Sequence, residues 1–224
     1  MHAFRRLLLT ELRNRRSVIL VSMAALICLN VLLAALPLQF QYASHHLNGV
    51  MTLNIAVCYV YLFIVFLRCF STWNDEWKVH SIYQLLTLPI PRVFLILYKY
   101  IAILVESFLY ALIMAAGLII QYRLTDGMLF RAEPLITFNA AKLLFIAQIV
   151  LFATCVIFLC FFCSLLGRVF SRFPLMIAFL AFLIGIIITI LAVTKLEPTL
   201  MIMVLCAAFF GGCHYLLEKR IAIV

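Results

Sequence analysis

The sequence predicts an all-α, polytopic membrane protein with six transmembrane helices and cytoplasmic N and C termini. Three observations carry that prediction. The 224-residue chain is 68% hydrophobic and only 11% charged, whereas soluble domains average roughly 45–50% apolar and about 25% charged residues. The apolar residues gather in runs of about 20 or more, the length that crosses a hydrocarbon core of ~30 Å. The cations alternate from loop to loop as the positive-inside rule requires.

The elements follow in order, and residues 1–224 read as a single transmembrane domain. Residues 1–16 (MHAFRRLLLTELRNRR) set Phe4, Leu7, Leu8 and Leu12 on one helical face, with Arg5, Arg6, Arg13, Arg15 and Arg16 around it. This pattern predicts an amphipathic interfacial helix on the cytoplasmic leaflet, held by membrane lipids; the plainer reading is a basic topology signal. The first span covers about 18–38, with Asn30 inside it and Pro37 at its outer end. The second covers about 50–70, with Asn54 inside and Arg68 snorkelling at the inner end. The third covers about 93–120, longer than a crossing needs, so its first turns belong at the inner interface. Spans at about 140–166, 174–193 and 199–217 complete the set. Pro174 opens the fifth at a favourable first helical position, and Gly211 and Gly212 allow close helix approach in the sixth.

The charges check this topology. Arg123, Arg131, Lys142 and Lys195 fall on the outer side, and the other 13 of the 17 Lys and Arg fall on the inner side. A net charge of +9 is thereby explained by loop cations, and a nucleic-acid partner is not expected. No cleavable secretory signal is expected. The eight cysteines lie in or beside apolar runs, where cysteine acts as a small hydrophobe. Cys160 and Cys163 have a C-x-x-C spacing without a second pair, so no metal site is expected.

Few polar residues enter the spans. Asn30, Asn54 and Glu106 are the candidates for a substrate path. Arg92, Lys99 and Glu106 are spaced by seven and share a stripe, from which Arg92 and Lys99 reach the headgroups and Glu106 does not. A carboxylate inside a span is a functional-site hypothesis by default; the alternative is a protonated or hydrogen-bonded glutamate fastening two helices. The chain carries no G-x-x-x-x-G-K-[ST] loop, no G-x-S-x-G elbow and no H-E-x-x-H pair, so it is expected to be a non-enzyme whose energy comes from a partner.

Between the second and third spans lies the longest stretch that is not simply oil-soluble, residues 75–92. Val79, Ile82, Tyr83 and Leu86 follow i, i+3, i+4, i+7 and share one face of a short amphipathic helix. Pro89 and Pro91 stop that helix, because proline lacks an N–H and clashes with the preceding turn. Such a helix lies on a membrane surface or docks in a groove of another protein.

These residues resemble the membrane subunit of a type-two ABC transporter, the exporter-type permease. The family signature is a Glu, then Gly-Thr, leucines, Leu-Pro-[VI]-[ST]-Arg and a later Lys. This chain has Glu76, then Leu85-Leu86-Thr87-Leu88-Pro89-Ile90-Pro91-Arg92, then Lys99. It departs where His80-Ser81 replaces Gly-Thr and where Pro91 replaces Ser or Thr. The resemblance spans the whole topology but only about 25 residues of motif. It implies a cytoplasmic coupling helix formed by Glu76, Lys78, Val79, Ile82, Tyr83, Leu86, Pro89 and Arg92. It also implies two copies of a cytoplasmic ATPase subunit, with ATP and Mg bound there and no cofactor on this chain. A second permease, identical or homologous, would complete the transporter in a cell membrane, as in a bacterial plasma membrane. The scarcity of polar groups in the spans favours an amphipathic or hydrophobic cargo, such as an antimicrobial peptide, a lipid-like molecule or a drug. Two other classes remain: a non-transporting membrane scaffold or sensor, and an intramembrane lipid-modifying enzyme using Glu106 with a histidine such as His80 or His214.

Overall fold

The computed structural model describes residues 2–39, 44–78, 91–125, 140–170, 173–195 and 197–220. They form six helices: α1 (His2–Gln39), α2 (Ser44–Lys78), α3 (Arg92–Leu124), α4 (Ala140–Val169), α5 (Pro174–Lys195) and α6 (Pro198–Tyr215). One π-helical turn, Leu216–Arg220, extends α6. Each of the six is long and apolar enough to cross a membrane, and no strand occurs among the described residues. The protein is thus an all-helical, multi-pass membrane protein.

Four helices have ends that differ from those the sequence suggested. α1 has no break between residues 16 and 18. Its buried seam of Glu11, Ile19, Leu26, Asn30 and Leu33 runs straight through that point, and no proline or glycine interrupts the helix there. α2 begins at Ser44, inside the expected outer loop, and continues past Phe70 to Lys78. Cys69, Thr72 and Trp73 are buried on one face at i, i+3, i+4 and hold those extra turns against the bundle. α3 continues through Gln121 to Leu124. Thr125 then closes it, donating its backbone N–H and its hydroxyl to the Gln121 carbonyl at 3.0 and 2.8 Å. α4 absorbs Gly167 and Arg168, residues expected in a turn. α5 and α6 begin on Pro174 and Pro198, where proline's missing N–H costs nothing.

Contacts along the helices fix their directions. Phe4 meets Phe94 edge to face at 5.9 Å, and Asn30 reaches Met114 at 3.7 Å, so α1 and α3 run parallel. α2 runs against both, since Arg15 meets Thr72 while Asn54 meets Gln121. In the second half, Cys206 and Cys213 of α6 reach the carbonyls of Leu151 and Phe158 on α4, so these two are parallel and α5 lies antiparallel between them. The helices form two triplets, α1–α2–α3 and α4–α5–α6, joined where α2 packs on α4 and α3 on α6. A small core of Leu26, Tyr61, Tyr110 and Met114 fills the first triplet. A larger one, including Trp73, Ile103, Phe161, Leu165, Phe182 and Leu217, fills the seam and the second. The alternation brings the start of α1 and the π-helical turn after α6 to the same end of the bundle, where Phe4 meets Phe94 and Arg92 meets Leu217.

Candidate functional site

The chemistry-bearing residues of the spans converge on one face of α3. Lys99, Glu106, Tyr110, Met114, Gly117 and Gln121 are spaced by seven, four, four, three and four, which keeps them in line on a helix. Each meets α1 or α2.

At the end nearest the chain termini, Lys99 is 1% exposed. Its Nζ donates to the Thr72 carbonyl at 3.3 Å and sits 5.1 Å from the Trp73 ring centroid and 5.4 Å from that of Tyr98. An ammonium close to two aromatic rings recovers from their quadrupoles part of what it loses in hydration. Arg15 joins the same layer, donating to Thr72 Oγ1 at 3.2 Å and pairing with Glu11 at 2.8 Å. Lys99 therefore does not reach toward headgroups as its spacing from Arg92 suggested; a helix neighbour claims it.

Further along α3, Arg68 Nε of α2 stands 3.8 Å from Glu106 Oε1, with side chains 18% and 6% exposed. Tyr110 donates its hydroxyl to the same oxygen at 3.0 Å. Arg68 thus turns inward rather than snorkelling. Tyr61 packs edge to face on Tyr110 at 4.9 Å and donates to the Ser107 carbonyl at 3.4 Å. Glu106 is consequently a hydrogen-bonded, ion-paired residue joining α2 to α3.

Asn30 of α1 donates to the Leu26 carbonyl at 3.0 Å as well as to Met114. It lies directly over Gly117, where an added Cβ would collide with the Asn30 amide. Its Oδ1 has no hydrogen-bond partner among the described residues, and neither does Trp73 Nε1. Asn54 of α2 and Gln121 of α3 exchange amide hydrogen bonds, Asn54 Nδ2 to Oε1 at 2.7 Å and Gln121 Nε2 to Oδ1 at 3.3 Å. Gln121 is fully buried. About 33 Å of helix separates Lys99 from Gln121, close to the ~30 Å hydrocarbon thickness. The cationic layer and the amide pair thus stand about one hydrocarbon thickness apart along α3.

The 75–92 segment is divided. Glu76 and Lys78 fall in the last turn of α2, so the first part of this stretch prolongs a span instead of starting a new helix. Val79, Ile82, Tyr83, Leu86 and Pro89 lie outside the described residues. Pro91 is extended (φ −55°, ψ 130°) just ahead of α3. Arg92, its first residue, donates to the Leu217 carbonyl in the π-helical turn after α6 at 2.7 Å. The segment is thus anchored to the first triplet through α2 and to the second through Arg92.

Sequence reasoning missed Gln121, Tyr110, Thr72 and Trp73 as partners. On α3, the helical stripe of Lys99 and Glu106 continues at steps of three and four to Tyr110 and Gln121; Thr72 and Trp73 lie on α2, which that stripe does not reach. No ligand cluster emerges beside them: among the described residues no group of three or more His, Cys, Asp or Glu is placed to hold a metal. The cysteines are unbridged, with Cys69 against Cys160 between α2 and α4 and Cys155 against Cys206 between α4 and α6. His214 pairs with Glu218 at 3.5 Å, away from Glu106.

No protein-family model, curated protein or solved structure matches this chain.

Proposed function

We propose that the chain is the membrane-spanning permease subunit of an ATP-driven exporter of the type-two ABC class. The observation that carries this reading is the run Glu76, Leu88-Pro89-Ile90, Arg92, Lys99, joining α2 to α3 in a protein of six apolar helices. The apolar face of Val79, Ile82, Tyr83 and Leu86 fits a groove on a cytoplasmic ATPase, and Glu76, Lys78 and Arg92 set its orientation by charge at the rim. ATP and Mg belong to that partner, present in two copies, and this subunit supplies no hydrolytic chemistry. A second permease, identical or homologous, completes the pathway. The cargo is amphipathic or hydrophobic, an antimicrobial peptide, a lipid-like molecule or a drug, and it leaves the cytoplasm or inner leaflet of a bacterial plasma membrane.

The test is purification of the full chain from its native membrane in mild detergent, with mass identification of what accompanies it. The reading expects a soluble protein carrying a G-x-x-x-x-G-K-[ST] loop at about one copy per chain, released by Leu86→Asp. Recovery of the chain alone, with crosslinking through residues 76–92 finding nothing, would overturn it.

A further inference from the structure

The outward side of α1 holds a strongly charged patch that the exporter reading does not use. Arg5, Arg6, Arg13 and Arg16 are exposed. At 100° per residue they fall within about 100° of arc. The fifth arginine, Arg15, turns instead to Glu11 and Thr72. Glu11 is the single carboxylate before Asp75 in the sequence and is buried, so the arginine face has no acidic neighbour on its own helix. None of the four pairs with a described carboxylate. Beyond Ser17 the same side continues as Leu20 and Ile27, both exposed, so one unbroken helix face changes from cationic to lipid-facing within a single turn.

We infer that this face binds anionic lipid headgroups, with Arg13 and Arg16 forming the phosphate clamp. α1 is continuous and its first turn is fixed to α3 through Phe4 and Phe94, so residues 4–16 cannot lie flat in the interface. They stand up from the bilayer along the axis of the span. The headgroup zone is only about 5–8 Å deep on each side. With the layer of Arg15, Thr72 and Lys99 at the hydrocarbon edge, Arg16 and Arg13 fall within that zone, one turn apart on adjacent surface positions. Arg6 and Arg5 lie about 10–16 Å further along the axis, and helical side chains lean toward the N-terminus, which carries them further out. A guanidinium matches phosphate oxygens with paired N–H donors, and the exposed Leu20 beside the clamp receives the acyl chain. The occupant is a lipid rather than a free anion, because the charged patch is continuous with the exposed apolar side chains Leu20 and Ile27 of a membrane-spanning helix.

Lipid binding at this face does not depend on any ATPase. The full chain is purified in mild detergent, equilibrated with equimolar phosphatidylglycerol and phosphatidylcholine, and its retained lipids are counted by native mass spectrometry. Wild type should retain phosphatidylglycerol preferentially. R13Q/R16Q should weaken that retention about thirty-fold, from about 1 kcal/mol for each basic residue near an anionic surface. R5Q/R6Q should stay close to wild type, and R13K/R16K should fall between. All four side chains are exposed, so an unchanged gel-filtration profile is expected throughout. Retention by R13Q/R16Q equal to wild type would overturn the site. Equal losses in R13Q/R16Q and R5Q/R6Q would overturn the clamp and point to a helix lying in the interface.

Discussion

The two triplets are built by different means. In α1–α2–α3 the helices are joined by named polar pairs: Lys99 to Thr72, Arg68 to Glu106, Asn54 to Gln121. In α4–α5–α6 they are joined mainly by shape, with one polar side-chain pair, Gln148 donating to Thr199 Oγ1 at 3.1 Å. Phe158 meets Phe210 edge to face at 5.4 Å, Phe162 lies over Gly212, and two cysteines of α6 touch carbonyls of α4. Gly211, by contrast, faces open space. Lipid tails are as apolar as leucine, so burial alone does not draw helices together in a bilayer. The first triplet fixes orientation by hydrogen-bond direction, and the second by close approach of small and flat side chains. At the seam both devices occur: Cys69 and Cys160 meet, Trp73 packs on Phe161 at 6.0 Å, and Arg92 holds the Leu217 carbonyl.

Mutations that break one device should leave the other standing. The largest effect is expected from Glu106→Leu, which leaves Arg68 without its carboxylate and Tyr110 without its acceptor. Orphaning a buried charge costs about 3 kcal/mol or more, read as a lower unfolding midpoint in detergent. Glu106→Gln keeps an acceptor for Tyr110 and should lose less. Next comes Gly117→Ala, at about 2 kcal/mol for overpacking against Asn30. Gly212→Ala in the second triplet should cost nearer 1 kcal/mol, because the edge of the Phe162 ring can swing aside. Equal losses at the two glycines would remove the contrast between a hydrogen-bonded seam and an adaptable aromatic one. Asn54→Ala should cost roughly 1 kcal/mol, since intramembrane hydrogen bonds are modest even when reciprocal. The smallest change is expected for Cys206→Ala, about 0.5 kcal/mol for one weak thiol contact.

The spans were legible in the sequence because hydropathy and length decide them; Pro174 marked the start of α5 to the residue, and α6, expected from about 199, begins one residue earlier on Pro198. The ends were less so. Around Gln121 the hydropathy fades into Tyr122-Arg123, which reads as a loop; the helix persists because Asn54, on another element, satisfies Gln121. Arg68 and Lys99 show the same limit. Seven-residue spacing reveals that Arg92, Lys99 and Glu106 share a stripe, but not whether that stripe meets lipid or a neighbouring helix. That depends on α2 presenting Thr72 and Arg68 at matching heights, and a single helix's pattern contains no such register. For α1, the arginine-rich composition of residues 5–16 suggested a separate interfacial helix. The competing signal was there in Glu11, Ile19, Leu26 and Leu33, whose near-heptad spacing continues through the basic stretch and describes one long packed seam.

Arg68 and Glu106 act as a pair that holds α2 to α3. A double-mutant cycle on Arg68 and Glu106 tests this pairing most directly, using unfolding free energies of wild type, Arg68→Leu, Glu106→Leu and the double variant in one detergent. Each single variant should lose about 3 kcal/mol, while the double, with no charge left unpaired, should lose less than either alone. Additive losses, or a Glu106→Leu variant as stable as wild type, would contradict the pairing.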